Sequence, residues 1–287
     1  MKKLLYTLVL PLFWAISLFP VSVLYLFSDF LYLIIFHLLG YRRKVVVQNL
    51  SNAFPDKDAA EINQITRDYY HFLCDLLVEV LKGATMTRED YEKYWSADAC
   101  EVNRIYDQDR SCIFILGHYG NWEGAAPACT VHSKYHVNII YKAIRNANFE
   151  QLINKIRVRF DNQITPMDKI LRYMIKNRKQ RIAYAFVSDQ TPSPKQAYWM
   201  TFLNQDTAVF TGVEKIAQKL NIPVFYISIQ RRQRGHYHIQ PTLLFENPKN
   251  TGEGEIMQAF MQALEADIIK DPACWLWSHR RWKHQRC

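Results

Sequence analysis

Apolar residues dominate the first 40 positions and then recur in short blocks separated by polar turns. Asp29 is the only formally charged residue between positions 4 and 40. Pro11 and Pro20 each remove a backbone donor, so the pattern predicts two helical pieces, about 4–19 and 21–39. About 20 apolar residues are enough to cross a bilayer, and this segment, residues 1–40, is therefore predicted to anchor the chain in a membrane.

Permanent attachment is favoured over a cleaved signal peptide, because the apolar stretch is unusually long and no Ala-x-Ala-like cleavage site follows it. Basic residues flank the segment on both sides, with Lys2 and Lys3 before it and residues 42–44 after it. Because positive charge lies on both sides, its distribution does not predict the orientation of the segment in the membrane. Whether the segment spans the bilayer or lies in one leaflet stays open at this stage.

Helical spacing of apolar residues continues over 42–54 and 58–82, which predicts connecting helices within residues 41–89. From residue 90 to residue 287 the pattern changes to short apolar runs that alternate with amphipathic stretches. The runs predict strands, and the stretches predict helices. The predicted strands are 111–117, 137–141, 181–187, 222–229 and 236–245; the predicted helices are 148–160, 168–178, 212–220 and 253–269.

Strands that alternate with helices predict an α/β fold whose sheet is mostly parallel and flanked by helices. The last two strands are joined by a short basic turn and predict an antiparallel hairpin near the sheet edge. A length of 287 residues fits one sizeable core with an appendage. Residues of apolar type make up 49% of the chain and charged residues 22%, which excludes wholesale disorder.

The formal net charge of +9 favours an anionic partner, such as lipid headgroups, nucleic acid or an acidic carrier protein. The six cysteines form no Cys-x-x-Cys pair, which argues against zinc-ribbon and thioredoxin-like sites. Such cysteine usage is typical of a reducing compartment, and the cytosol is favoured.

Candidate chemistry lies in the sequence GHYGNWE, directly after the predicted strand 111–117. His118 could take a proton from a hydroxyl group that attacks a thioester carbonyl. Glu123, five positions later, could bind the other ring nitrogen and stabilise the imidazolium. Ligands bind open α/β sheets at the carboxyl ends of their strands, where this motif is placed. Spacing alone is weak support, since a lone histidine is more often structural.

The GHYGNWE motif resembles the HxxxxD/E signature as it occurs in the lipid A biosynthesis (lauroyl/myristoyl) acyltransferases. Further similar stretches follow in the same order: YRRKVVVQNLSNAFPDK, YKAIRNANFEQLINKIR, VSDQTPSP and WLWSHRRWK. The resemblance covers nearly the whole chain, including the apolar N-terminal segment.

The resemblance implies a glycerolipid-acyltransferase-like core attached to the inner membrane, with its catalytic domain facing the cytoplasm. It implies transfer of a fatty acyl chain from acyl-acyl-carrier-protein to a hydroxyl of a lipid A precursor. The partners would then be the acyl carrier protein, membrane lipid and the glycolipid acceptor, with no nucleic acid. No metal or redox cofactor is expected. His118 would be the general base and Glu123 its orienting partner.

Three further residues are candidates for substrate binding near the motif. Asp189 and Gln190 follow the predicted strand 181–187, where they could orient the acceptor, support His118 or simply form a turn. Asn121 could donate to a developing oxyanion or cap the following helix.

Basic residues supply the remaining candidates. Lys142 stands where family members usually carry arginine, so phosphate recognition could differ, and Arg145 is close enough in sequence to compensate. His279, Arg280 and Arg281 could hold an anionic lipid or carrier group, or form a snorkelling rim over packed aromatics.

The turn with Arg231, Arg232 and Arg234 is predicted to be solvated and could steer an acidic carrier protein.

Two other functional classes are disfavoured. A serine hydrolase would need a Gly-x-Ser-x-Gly elbow, which the chain lacks. A nucleic-acid-binding protein would show a helix-turn-helix, zinc-finger or RNP-like pattern, and none is present. Two alternatives stay open: acyl transfer from acyl-CoA to another phospholipid or glycolipid, and a membrane-associated protein that binds an anionic ligand without catalysis.

Overall fold

A seven-stranded sheet forms the centre of the molecule, in a computed structural model that describes residues 11–143, 147–192, 197–284 and 286. Its strand order is β1-β9-β8-β2-β5-β3-β4. The strands of this sheet are β1 Trp95–Ala97, β2 Cys112–Leu116, β3 His136–Tyr141, β4 Gln163–Pro166, β5 Ile182–Val187, β8 Val224–Gln233 and β9 His236–Phe245.

Five neighbouring strands, β8, β2, β5, β3 and β4, run parallel to one another. Strand β9 pairs antiparallel with β8, and the short β1 adds to β9 at the edge. The predicted α/β fold, with a mostly parallel sheet and a hairpin near its edge, is therefore confirmed. The prediction omitted β1 and β4, which have only three and four residues.

Helices cover both faces of the sheet. All five residues of strand β2 are buried, and alternate residues point into the apolar layers on opposite faces of the sheet. Both faces of the sheet therefore need a covering layer. Residues 11–17 are helical. The helices that follow are α1 Val21–Tyr32, α2 Arg43–Ala53, α3 Ala59–Gly83, α4 Arg88–Tyr94, α5 Cys100–Asp107, α6 Trp122–His132, α7 Ala147–Arg157, α8 Ile170–Lys176, α9 Gly212–Leu220 and α10 Glu255–Lys270.

The hairpin of β6 Ala197–Phe202 and β7 Gln205–Phe210 forms a separate two-stranded sheet that the sequence pattern did not predict. Its turn residues, Leu203 and Asn204, both have positive φ, of 49° and 59°. Positive φ at both central positions matches the twist of the flanking strands. The usual Asn-Gly signal for such a turn is missing from this sequence.

Helix α1 continues as a π-helix, Leu33–Leu39, and ends at Gly40 with φ +56°. The predicted helical piece 21–39 is thus confirmed as one continuous element. Side chains four residues apart, at Leu24, Ser28, Tyr32 and Phe36, are buried against the protein. The opposite face is apolar and exposed, at Leu26, Phe27, Phe30, Leu33, Leu38 and Leu39.

A cluster of charged groups joins α1 to α3 and the β8–β9 hairpin. Asp75 of α3 is 2% exposed and accepts hydrogen bonds from Ser28 (2.6 Å), Arg231 (2.7 Å) and Arg234 (2.6 Å). Arg234 also pairs with Asp29 at 2.6 Å. Each charge in this cluster has an opposite partner, which is what a buried ion pair needs to be stable.

The solvated turn predicted around residue 231 is therefore wrong for Arg231, whose side chain is only 20% exposed, whereas Arg232 and Arg234 are exposed as predicted. Arg231 binds Asp75 of α3, and Arg234 joins Asp75 to Asp29 of α1. Sequence spacing could not reveal this role, because their partner Asp75 lies more than 150 positions earlier in the chain.

Candidate active site

Two neighbouring strands bring the first candidate residues together. Leu116, the last residue of β2, pairs with Val187, the last residue of β5. His118 and Asp189 each lie two residues beyond the end of their strand. Because the strands are parallel, both side chains lie at the same edge of the sheet.

Asp189 holds His118 through both of its carboxylate oxygens. Oδ1 accepts from the ring Nδ1 at 2.5 Å, and Oδ2 accepts from the His118 backbone N–H at 2.8 Å. The indole Nε1 of Trp275 also donates to Oδ2, at 2.9 Å. With its proton on Nδ1, the imidazole carries its lone pair on Nε2.

Nε2 is the ring nitrogen of His118 that does not bind Asp189. The His118 side chain is 16% exposed, whereas that of Asp189 is 3% exposed. Gln190 Nε2 lies 3.0 Å from the ring Nε2 and can donate to it. The ring packs edge-on against Trp122, with their centroids 5.1 Å apart.

The electrostatics of the pair favour an ionised carboxylate beside a basic imidazole. Burial opposes the imidazolium, but the charge and hydrogen bond of Asp189 outweigh it and raise the pKa of His118. Burial likewise opposes the carboxylate, yet the charge of His118 and the donated hydrogen bonds lower the pKa of Asp189 to about 2.

The predicted hydrogen bond between Glu123 and His118 is not present among the described contacts, and Asp189 takes that place. Glu123 binds Arg157 of α7 instead, with Oε2 accepting from Nε at 3.0 Å and Oε1 from Nη2 at 2.7 Å. The physical reason is that α6 begins at Trp122 and directs the carboxylate toward α7. Both charges still act on His118, since Glu123 raises its pKa and Arg157 lowers it.

Asn121 serves as a helix cap in this structure. Its Oδ1 accepts from the Gly124 N–H at 2.9 Å, and its Nδ2 donates to Glu79 at 3.0 Å. Of the two alternatives drawn from the sequence, the geometry matches the cap.

The three basic candidates near the C-terminus, His279, Arg280 and Arg281, differ in how deeply they are buried. Arg281 is 1% exposed and donates to the Ala208 carbonyl at 2.7 Å and to Thr191 at 3.2 Å. Burial lowers the pKa of Arg281 to about 10, so it is still charged at neutral pH. Burial also lowers the pKa of His279, to about 4. Arg280 is exposed, and only this residue of the three matches a solvated rim.

Lys142 follows β3 and is exposed. Its predicted compensating neighbour, Arg145, lies outside the described residues.

The C-terminal segment, residues 272–284, fixes the loop that carries His118. Gly120 N–H donates to the Cys274 carbonyl at 2.9 Å, and Leu276 N–H donates to the His118 carbonyl at 3.1 Å. Gly120 has φ +59°, and a Cβ there would lie 2.4 Å from the Ile229 carbonyl oxygen, so the loop requires glycine.

Trp275 and Arg157 were not assigned roles from the sequence. The aromatic and basic residues of both stretches were visible, but nothing in the sequence indicated that they contact Asp189 and Glu123. Only the three-dimensional pairing of distant segments reveals these contacts.

An apolar crevice runs from Glu123 to the N-terminal helix. Its volume is about 30 Å³, which is room for about two water molecules. The lining is mostly aliphatic and aromatic, and includes Val21, Leu24, Tyr25, Val78, Met86, Tyr91, Trp95, Gly124 and Ile156. Within the described part of the chain, no group of three His, Cys, Asp or Glu residues is placed to hold a metal ion.

Comparison with known proteins gives the family. The model of the bacterial lipid A biosynthesis acyltransferases matches residues 1–284. No curated protein sequence matches the chain. Among solved structures, the 1-acyl-sn-glycerophosphate (LPA) acyltransferase PlsC from Thermotoga maritima is similar with 14% identity and a TM-score of 0.40, over 87% of this chain and 96% of that one. The match over residues 1–284 means that the chain belongs to the bacterial lipid A biosynthesis acyltransferase family and is an O-acyltransferase.

Proposed function

We propose that this enzyme transfers a fatty acyl chain from an acyl-acyl-carrier-protein to a hydroxyl group of a lipid A precursor. We place the reaction at the cytoplasmic face of the inner membrane. The observation that carries the proposal is the pairing of His118 with Asp189 at the carboxyl end of the parallel sheet, in a chain of this family.

His118 is the proposed general base. Its Nε2 takes the proton of the acceptor hydroxyl while the hydroxyl oxygen attacks the thioester carbonyl. Asp189 stabilises the imidazolium that forms and holds the ring in the required tautomer. As the carbon–sulfur bond breaks, the imidazolium returns its proton to the leaving thiolate, and the ester is complete. No covalent intermediate with the enzyme is needed.

Glu123 has a different proposed role from the one its spacing suggested. The two-point ion pair with Arg157 fixes a guanidinium group close enough to act on the pKa of His118. A fixed cation there is suited to the negative charge that develops on the attacked carbonyl oxygen. We therefore assign Glu123 to positioning Arg157 and Asp189 to orienting His118.

The crevice beside Glu123 is the proposed site of an acyl chain. Its apolar lining suits a hydrocarbon, and one end is lined by Glu123 and Gly124 at the start of α6, the helix that follows the His118 loop.

The exposed apolar face of the N-terminal helix is the proposed contact with the membrane. By length and composition, Val21–Leu39 could cross a bilayer. Its other face, however, is bound to α3 and to the charged cluster around Asp75. A crossing helix would carry these charges into the hydrocarbon, which is costly. We infer that the helix lies along the membrane surface with one face in the lipid and one on the protein.

The test of the acceptor is mass spectrometry of the lipid A fraction from cells with and without the gene. We expect one acyl mass to be missing without the gene and restored by the intact protein. His118→Ala should fail to restore it, whereas His136→Ala, an exposed histidine at the start of β3, should succeed. Unchanged lipid A, with an altered phospholipid or other glycolipid instead, would exclude this acceptor.

The test of the donor uses purified enzyme with acyl-acyl-carrier-protein or acyl-CoA of the same chain length. We expect a much higher kcat/KM with the carrier protein. Equal or better use of acyl-CoA would exclude the proposed donor, and turnover with neither would exclude both donors.

A further inference from the structure

Among the described residues, three hydrogen bonds hold the Asp189 carboxylate, and Trp275 donates one of them. The other two come from His118 itself, through its backbone N–H and its ring. The indole N–H lies 2.9 Å from Oδ2, and Trp275 is 2% exposed. A hydrogen bond to a buried carboxylate is stronger than one between neutral groups.

The Trp275 ring cannot easily turn away from Asp189. It packs against Trp277, Trp282 and Phe202, with ring centroids at 4.7, 5.9 and 5.8 Å. Its backbone is fixed by an isolated antiparallel bridge to Tyr119, next to His118. The indole is therefore a rigid donor, held by its aromatic neighbours and by the backbone pairing beside the His118 loop.

We propose that Trp275 is a positioning residue for acyl transfer, because its indole N–H fixes the rotation of the Asp189 carboxylate and so the orientation of the His118 ring. This inference rests on the proposed role of His118 as the base. Without the indole donor, Oδ2 keeps its bond to the His118 backbone, and the carboxylate is freer to rotate away from Nδ1.

The test compares Trp275→Phe with Trp277→Phe in the full-length enzyme in detergent. Both variants remove an indole donor from the same aromatic cluster, but the Trp277 indole donates to the Pro272 carbonyl, at 2.6 Å, and not to Asp189. We expect Trp275→Phe to lower kcat by about 10- to 100-fold, as for loss of one hydrogen bond to a charged group. KM should change less than about twofold, and Trp277→Phe should keep kcat within about threefold of the parent.

A second measurement separates positioning from general damage to the fold. In the Asp189→Asn background, Trp275→Phe should cause no further loss of kcat, because the group it positions is already altered. The proton NMR spectrum should contain a downfield signal from the His118 Nδ1 proton, which weakens in Trp275→Phe and persists in Trp277→Phe.

Equal losses in the two tryptophan variants, or full additivity with Asp189→Asn, would overturn the role of Trp275. Activity of His118→Ala near that of the parent would instead overturn the proposed base. The two failures are distinguished because the second is read from the histidine variant alone.

Discussion

At the scale of the residue, the His118 ring can accept a proton only while it is neutral. Asp189 raises its pKa, so kcat/KM should fall as the pH drops through a value above the ordinary 6.5. Asp189→Asn removes the negative charge and should move this acid limb to lower pH, while kcat falls on the order of 100-fold or more. A pH–rate profile of both enzymes measures the shift. An acid limb at the same pH in the variant would contradict the pairing.

Glu123→Gln should also lower kcat, by about 100-fold, because Arg157 loses its charged partner. The acid limb should move less than in Asp189→Asn, since Glu123 acts on the imidazole through its charge and not by a hydrogen bond. The same pH–rate measurement distinguishes the two carboxylates. A larger displacement for Glu123→Gln would return Glu123 to the role of orienting partner.

The sequence could predict His118 as the central residue, because a strand followed by glycine and histidine is a local pattern. The hydrogen-bond partner could not be chosen in the same way. Asp189 is 71 positions away, and it reaches His118 only because β5 is the neighbour of β2 in the sheet. Strand order depends on packing between distant segments, so the nearer Glu123 looked like the better partner.

At the scale of the element, the contact of α1 with the protein depends on Asp75. Asp75→Asn leaves two arginines short of a buried counter-charge and should lower the free energy of unfolding by about 3 kcal/mol or more. Asp29→Asn is the matched control, because Asp29 is 49% exposed and should contribute less than about 1 kcal/mol. Denaturant unfolding in detergent measures both. Equal losses of unfolding free energy in the two variants would show that burial of Asp75 adds nothing to the stability of the cluster.

The apolar pattern predicted the long helices and the buried strands, but it missed the shortest strands and the β6–β7 hairpin. Helices 42–54, 58–82 and 253–269 were predicted close to their observed bounds, because each repeats its apolar positions over several turns. Strand β1 has three residues, too few for a period to be recognised. The β6–β7 hairpin was missed because its turn residues carry side chains where glycine is usual.

At the scale of the whole molecule, the accessibility of the two ends of Val21–Leu39 tests whether this helix crosses the bilayer or lies in one leaflet. Single cysteines at Phe19 and Tyr41, both partly exposed, should react with an impermeant maleimide from the same side of inverted inner-membrane vesicles. A helix in one leaflet keeps both ends on that side. The cysteine-replaced parent serves as the control for background labelling. Reaction of only one position from each side would show that the helix crosses the bilayer.

The helix Val21–Leu39, with one face buried on the protein and the other apolar and exposed, determines how the enzyme could be prepared without detergent. Deleting it would uncover the interior surface that Leu24, Tyr32 and Phe36 now cover, and would take Ser28 away from Asp75. A shortened chain would thus expose apolar surface that is now buried, and we expect it to aggregate. A water-soluble form is better sought by keeping the helix and replacing outward-facing side chains such as Leu26 and Phe30 with polar ones.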